Sequence, residues 1–87
     1  MERFELRFKR SVAKDLRGIP RDEVSRILAR AELLRDNPRP ADSEKLSGHE
    51  LYRVRQGSYR IVYTIDDGAV VVEVVKIGHR REIYREL

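Results

Sequence analysis

The fold is decided by residues 51–63, LYRVRQGSYRIVY, in which two runs of alternating apolar and polar residues flank a turn. Successive side chains of a strand point to opposite faces of a sheet, so Arg53 and Arg55 share one face and the neighbouring apolar residues share the other. The sequence Gln-Gly-Ser at residues 56–58 is typical of a hairpin turn. The segment therefore predicts a β-hairpin with one apolar face and one arginine-bearing face. If the two strands align in register, Arg60 also lies on the arginine-bearing face.

The residues that follow predict one more strand. Asp66-Asp67-Gly68 is typical of a tight hairpin turn, because an Asp-Gly pair tolerates the positive φ angles that such a turn requires. Residues 69–77, AVVVEVVKI, are almost continuously apolar and β-branched, which suits an interior strand that is covered on much of both faces. We expect Gly78 to end this strand. Residues 79–87 form a charged tail, either one helical turn or a short strand.

The N-terminal half predicts one strand and two helices. Residues 4–8 alternate between apolar and charged side chains, as in a half-buried strand. A short helix is expected after an N-cap at Ser11 and ends before Pro20. A longer amphipathic helix is expected from Arg21 to about Asp36, where the sequence Asn-Pro-Arg-Pro terminates it.

These elements predict a single domain over residues 1–87 with the order β-α-α-β-β-β. Residues 42–48 are interpreted as a connector between the second helix and the hairpin. The layout is of the α+β class, with two N-terminal helices packed on one face of a mainly antiparallel sheet.

The composition restricts the classes of function. A chain of 87 residues with 40% hydrophobic residues can form one modest core, which disfavours a multi-domain enzyme with a buried cofactor cleft. The absence of cysteine excludes a disulfide framework, a cysteine-ligated metal and a thiol nucleophile. His49 and His79 are too few for a histidine-rich metal site, so neither a metal nor a cofactor is expected. No apolar run approaches membrane-spanning length, and we expect a soluble cytoplasmic protein without a membrane partner.

The charge of the chain favours a polyanionic or acidic partner. The net charge is +4 and the pI is near 9.8. Arg53, Arg55 and Arg60 lie in a segment without an acidic residue, and a guanidinium group is a planar donor that fits a phosphate. Two interpretations remain open: a phosphate-binding surface, or a solvated face on which arginine serves solubility.

The segment GHRREIY, residues 78–84, follows the predicted interior strand directly. His79 can transfer protons, Arg80 can contact a phosphate, and the ring of Tyr84 can stack on a nucleobase. The alternative is that Tyr84 packs the tail onto the core and that His79 is an ordinary surface residue. Motifs for nucleotide binding and for serine hydrolases are absent from the sequence.

In the order and spacing of its sequence motifs, the chain resembles the RelE/ParE superfamily of toxins from type II toxin–antitoxin pairs. The resemblance covers essentially the whole chain and is carried by the following segments: SVAKDL at 11–16, NPRP at 37–40, KLSG at 45–48, LYRVR at 51–55, GSYRIVY at 57–63 and IGHRREIY at 77–84. The last two are similar to the RelE branch, whose members cut messenger RNA in the ribosomal A site. Members of the ParE branch poison DNA gyrase instead.

The resemblance implies a metal-independent ribonuclease in which the ribose 2′-OH attacks the adjacent phosphate and leaves a 2′,3′-cyclic phosphate. The family's site positions match Arg53, Arg55, Arg60, Arg80 and the stacking residue Tyr84. Relatives often carry lysine where this chain has Arg53 and Arg55, and arginine is a poor proton acceptor near neutral pH. Either His79 assists proton transfer, or the site depends mainly on electrostatic stabilisation.

The resemblance also implies the partners. These are a cognate antitoxin, with a toxin–antitoxin heterotetramer as the expected assembly, together with the ribosome and its messenger RNA. Two other functions remain open: a gyrase inhibitor of the ParE kind, and a member that binds RNA or antitoxin but cuts only weakly.

Overall fold

The computed structural model describes residues 3–46 and 50–79 of the chain. These residues form, in chain order, β1 (Glu5–Phe8), α1 (Val12–Arg17), α2 (Arg21–Leu33), β2 (Glu44–Lys45), β3 (Tyr52–Gln56), β4 (Tyr59–Asp66) and β5 (Val71–His79). The strands make one sheet in the order β1-β5-β4-β3-β2. Strand β1 is parallel to β5, and all other neighbours are antiparallel. The predicted α+β class with a mainly antiparallel sheet is confirmed.

The hydrophobic core lies between the helices and one face of the sheet. Ile27, Ala31 and Leu34 recur at helical spacing along α2 and its C-terminal turn, and all three are fully buried. Val12 is the buried residue of α1. The sheet contributes the following buried residues: Val54, Ile61, Tyr63, Val72, Val74 and Ile77. The apolar face of the predicted hairpin is therefore the face that packs against the helices.

The two hairpins differ in how well the sequence predicted them. Gly57 has a φ of 61° between β3 and β4, as expected for the turn at residues 56–58. The prediction of a tight Asp-Gly turn between β4 and β5 was wrong. Residues 67–70 form that turn, and its positive φ, 57°, falls on Val70 rather than on Gly68. The turn is held by tertiary contact, because the Val70 carbonyl accepts the N–H of Glu5 at 2.8 Å.

Other boundaries also depart from the sequence predictions. Residues 42–48 are not only a connector, since β2 pairs with β3 at the edge of the sheet. Gly78 does not end β5, because it pairs with Arg60 in the ladder and the strand continues to His79. Ser11 precedes α1 but makes no side-chain capping hydrogen bond, since its own backbone is helical. Helix α2 ends at Leu33, about three residues earlier than predicted.

Helix α1 covers the edge of β5 beyond the end of β1. The β1–β5 pairing ends at Phe8, so the N–H of Ile77 needs another acceptor. Asp15 of α1 supplies it, with its Oδ2 3.2 Å from that nitrogen and its Oδ1 3.0 Å from Nζ of Lys76. One carboxylate thus fixes α1 to the sheet. Within the described part of the chain, no helix combines the length and apolar character needed to cross a membrane.

Candidate functional site

The β3–β4 hairpin brings three arginines to the sheet face that points away from the helices. Arg55 pairs directly with Arg60, and Arg53 pairs with Val62 in the same register. Residues that pair across antiparallel strands lie on the same face. The conditional prediction that Arg60 shares a face with Arg53 and Arg55 is therefore confirmed. We call these three residues the arginine face.

The arginines differ in exposure. Arg60 is only 9% exposed, whereas Arg55 is exposed to solvent and the side chain of Arg53 is 18% exposed. Arg55 and Arg60 line a cavity of about 80 Å³ together with the hairpin turn. A second concavity, of about 330 Å³, lies between β2 and β3 and is bordered by Arg53 and Arg55. A partly desolvated guanidinium binds an anion more strongly than one in bulk water.

Glu44 is the site residue that sequence reasoning missed. Strand β2 places it opposite Arg53, whose Nε donates to Glu44 Oε2 at 3.1 Å. This hydrogen bond lowers the pKa of the Glu44 carboxyl, and the charges of Arg55 and Arg60 lower it further. The carboxylate therefore lies within the electrostatic field of all three arginines. A two-residue strand leaves no periodic signal, so the sequence pattern alone could not place Glu44 there.

An ion pair anchors β2 to α2. Arg30, whose side chain is 15% exposed, donates to both carboxylate oxygens of Asp42 at 2.7 and 2.6 Å. This pairing lowers the pKa of Asp42, so the carboxylate stays ionised well into the acidic range. Because Asp42 lies two residues before Glu44, the ion pair restrains the segment that brings Glu44 to the arginine face.

His79 lies on the opposite face from the arginines. It pairs in register with Tyr59, while its neighbour Gly78 pairs with Arg60. The rings of His79 and Tyr59 meet edge to face with centroids 6.0 Å apart, and Tyr59 packs against the core. This placement disfavours direct proton transfer by His79 to a group held on the arginine face. Arg80 and Tyr84 lie outside the described residues.

The arrangement suits binding of a phosphodiester. Three guanidinium groups can contact nonbridging oxygens and stabilise added negative charge, while Glu44 supplies a carboxylate beside them. Within residues 3–46 and 50–79, no three His, Cys, Asp or Glu side chains cluster as metal ligands.

A family model matches most of the chain. The model described as "ParE toxin of type II toxin-antitoxin system, parDE" matches residues 6–84. The putative toxin RelE1 of Methanocaldococcus jannaschii is 32% identical over 89 residues, which cover 95% of this chain and 97% of the relative. Toxin RelG of Mycobacterium tuberculosis is 27% identical over 84 residues, covering 94% of this chain and 97% of the relative.

Several solved structures with the same fold are toxins bound to antitoxins. The toxin–antitoxin complex RelBE2 of M. tuberculosis contains a chain with a TM-score of 0.80 and 25% identity, covering 90% of this chain and 99% of that one. The archaeal RelE–RelB complex of Pyrococcus horikoshii contains one with a TM-score of 0.79 and 28% identity, covering 91% and 97%. The intact RelBE complex of Escherichia coli gives a TM-score of 0.75 at 28% identity, with coverages of 87% and 95%.

Proposed function

Since this chain belongs to the RelE/ParE superfamily of type II toxins and lies nearer its RelE branch, we propose that it is a ribosome-dependent, metal-independent messenger RNA endonuclease. The observation that carries the proposal is the pairing of Arg55 with Arg60, beside Arg53, on one sheet face. A cluster of guanidinium groups is a natural site for the phosphate of an RNA chain.

In the proposed reaction the 2′-oxygen of one nucleotide attacks the phosphorus that joins it to the next. A bond forms between that oxygen and phosphorus, and the bond from phosphorus to the 5′-oxygen breaks. The 2′-OH loses a proton and the leaving 5′-oxygen gains one, so the products are a 2′,3′-cyclic phosphate and a 5′-hydroxyl. Arg53, Arg55 and Arg60 stabilise the extra negative charge on the phosphate during this exchange.

The proton acceptor cannot be one of these arginines, because a guanidinium does not deprotonate near neutral pH. Glu44 is the candidate that the geometry favours, since strand β2 places its carboxylate opposite Arg53, 3.1 Å from the Arg53 Nε. His79 is the weaker candidate because it lies on the other face of the sheet. The resemblance adds Arg80 as a further phosphate contact and Tyr84 as a ring that stacks on a base.

The partners follow from the same proposal. We propose that the ribosome holds the messenger RNA over the arginine face in a geometry suited to attack. Two of the similar structures are the toxin–antitoxin complex RelBE2 and the archaeal RelE–RelB complex, and we propose an antitoxin partner and a toxin–antitoxin heterotetramer for this chain. The site of action is then the cytoplasm.

The test is to add the purified chain to translating ribosomes and map the ends of the transcript. Arg55→Ala and Arg60→Ala should each reduce codon-positioned cleavage by at least about 100-fold, as expected for loss of a group that stabilises transition-state charge. Arg26→Ala is the matched control, because Arg26 is an exposed α2 arginine that pairs with Glu23. Unchanged cleavage in both folded variants would remove the arginine face from the mechanism.

Inhibition of DNA gyrase is the second candidate function, and the match to the ParE family model favours it. A supercoiling assay with purified gyrase separates the two candidates, because only a gyrase poison traps cleaved DNA.

A third possible function is RNA binding with weak cleavage. In that case Arg53→Lys together with Arg55→Lys should raise the cleavage rate, because lysine can act as a proton acceptor when its pKa is depressed.

A further inference from the structure

The ion pair between Arg30 and Asp42 joins helix α2 to the segment that precedes β2. Arg30 Nη2 donates to Asp42 Oδ1 at 2.7 Å and to Asp42 Oδ2 at 2.6 Å. The Arg30 side chain is only 15% exposed. The ion pairs of Arg26 and Arg35 differ, because each of these arginines pairs with an acid of α2 itself, three residues away. Arg30 therefore reaches out of the helix toward the site.

Asp42 borders the same concavity as Glu44. The concavity of about 330 Å³ between β2 and β3 is bordered by these two carboxylates and by the guanidinium groups of Arg53 and Arg55. The formal charges of these four side chains cancel. Arg30, in contact with Asp42, adds one positive charge next to them. Because a phosphodiester carries one negative charge, the pairing of Arg30 with Asp42 favours its binding at this border.

Strand β2 depends on contacts outside the sheet ladder for its position. It has only two residues, of which Glu44 is the first, and it lies at the edge of the sheet beside β3. Short elements with few contacts open locally at a low cost in free energy. After β2, the N–H of Leu46 donates to the Leu51 carbonyl at 2.8 Å. Before β2, Asp42 holds the segment to α2, so loss of that contact allows Glu44 to move away from Arg53.

We propose that Arg30 is a positioning residue of the cleavage site. Through Asp42 it holds Glu44 beside Arg53, and it neutralises the Asp42 carboxylate at the border of the phosphate site. This inference rests on the proposed function, in which Glu44 accepts the proton of the 2′-OH. Arg30 makes no contact with the RNA in this proposal, so its effect on the reaction passes through the two carboxylates.

The alternative is an ion pair that stabilises the fold and nothing else. In that case the two partners are equivalent, and neither changes the cleavage rate of the folded protein. Under the proposal they differ, because Asp42→Asn removes a negative charge together with the anchor, whereas Arg30→Gln leaves an unpaired carboxylate at the border of the concavity. An aspartate side chain is ionised near neutral pH even without a partner. Arg30→Gln should therefore weaken RNA binding as well as slow cleavage.

The test compares Arg30→Gln and Asp42→Asn with the same changes in a surface ion pair, Arg3→Gln and Asp36→Asn. The side chains of Arg3 and Asp36 are 54% and 61% exposed. On saturated ribosomes, Arg30→Gln and Asp42→Asn should each lower the single-turnover rate by about 10- to 100-fold, as expected when a reacting group is displaced. Arg30→Gln alone should also raise the toxin concentration for half-maximal cleavage, by about threefold. The two control variants should behave like the unmodified chain.

A double variant and a conservative replacement separate positioning from stability. In a Glu44→Gln background, Asp42→Asn should cause no further loss of rate, because the group that it positions has already been removed. Arg30→Lys keeps the positive charge and should return the half-maximal concentration to that of the unmodified chain. A full additional loss of rate in the double variant would overturn the positioning role. Equal half-maximal concentrations for Arg30→Gln and Asp42→Asn would overturn the charge role.

A measurement without ribosomes distinguishes failure of this inference from failure of the proposed function. The Arg53 Nε–H donates to Glu44, so its NMR signal reports whether the carboxylate is in place. In Arg30→Gln and Asp42→Asn this signal should move toward its position in Glu44→Gln, and in the surface-pair controls it should not. If the unmodified chain cuts no messenger RNA while the signal responds as expected, the proposed function fails and the anchoring of Glu44 by Arg30 stands. An unchanged signal in both folded variants would overturn the inference.

Discussion

Glu44 adds a negatively charged carboxylate to the arginine face. Its carboxylate accepts a hydrogen bond from Arg53, and the nearby guanidinium groups lower its pKa. In the free protein the carboxylate competes with a phosphate for Arg53, and in the reaction it can accept the proton of the 2′-OH. These two roles predict opposite effects on binding and on rate, so one substitution can separate them.

We predict that Glu44→Gln binds messenger RNA more tightly and cleaves it more slowly. The substitution removes the negative charge that competes with the phosphate for Arg53. The amide that replaces the carboxylate cannot accept a proton from the 2′-OH. Single-turnover rates on saturated ribosomes should fall by about 100-fold or more, and the dissociation constant should fall as well. Glu32→Gln, an exposed acid of α2 paired with Arg35, is the matched control. A rate equal to that of the unmodified chain would exclude Glu44 as the acceptor.

The pH dependence of cleavage identifies the same group independently. The pKa of Glu44 is lowered from its ordinary value of 4.5, so the carboxylate is fully ionised throughout the neutral range and becomes protonated only below that value. The single-turnover rate should therefore show no inflection between about pH 6 and 8 that belongs to proton acceptance. An inflection near pH 6.5, where imidazole groups titrate, would favour a histidine instead.

At the residue scale the sequence predicted the cations but not their acidic neighbour. Alternation in residues 51–63 was sufficient to place Arg53 and Arg55 on one face, because strand periodicity is a local property. Glu44 reaches that face through pairing between β2 and β3, which are separate segments of the sequence. A contact of this kind depends on tertiary structure and is invisible to periodicity.

At the element scale, the loop before β2 is held to the sheet by Tyr63. This residue is fully buried, and its hydroxyl donates to the Pro38 carbonyl at 2.7 Å. Burial raises the pKa of the phenol to about 12, so it remains a neutral donor at all physiological pH values. The hydrogen bond thus fixes the residues that follow α2 and precede the Asp42–Glu44 segment.

We predict that Tyr63→Phe lowers the free energy of unfolding by about 1–2 kcal/mol, because a buried carbonyl loses its donor. The measurement is urea denaturation followed by circular dichroism. Tyr52→Phe is the matched control, since the Tyr52 hydroxyl makes only a 3.5 Å contact with Arg39 and should change stability by less than about 0.5 kcal/mol. Equal losses in the two variants would contradict a special role for the Tyr63 hydroxyl.

Asp15 is the corresponding link between α1 and β5, and two substitutions separate its charge from its hydrogen bond. We predict that Asp15→Ala lowers the free energy of unfolding by about 2–3 kcal/mol. The reason is that Lys76 and the N–H of Ile77 both lose their contact with the Asp15 carboxylate. Asp15→Asn keeps an acceptor for Ile77 and should cost about half as much. Denaturant titration measures the free energy of unfolding of both variants. A larger decrease for Asp15→Asn than for Asp15→Ala would contradict the prediction.

Element boundaries show where local sequence signals were insufficient. The turn between β3 and β4 was predicted because Gly57 supplies the positive φ that the turn requires. The Asp-Gly signal failed before β5, where the Asp66 carboxylate accepts the N–H of Ala69 at 2.9 Å and a longer turn forms. The bond from Glu5 to Val70 then holds Val70 in a conformation that its side chain disfavours.

At the scale of the whole molecule, hydrophobic pattern was sufficient for the class and most of the topology. Helix α2 and the long strands β4 and β5 each carry enough buried residues to define their period. Pattern could not predict that β1 pairs in parallel with β5, because strand order depends on which edge remains open after the hairpins form. The same limit applies to the site, whose cations belong to one hairpin and whose carboxylate comes from the neighbouring edge strand β2.

The chemistry of the whole molecule leads to a last prediction, made on the RNA rather than on the protein. In the proposed reaction the arginine face stabilises charge, and the nucleophile is the 2′-OH of the substrate. A single 2′-deoxy nucleotide at the cleaved position should therefore abolish cutting at that codon while ribosome binding is unchanged. The unmodified transcript should yield a 2′,3′-cyclic phosphate and a 5′-hydroxyl, which mass spectrometry of the fragments resolves. Cleavage of the deoxy transcript, or a product with a 5′-phosphate, would require water as the nucleophile and would contradict the role assigned to Glu44.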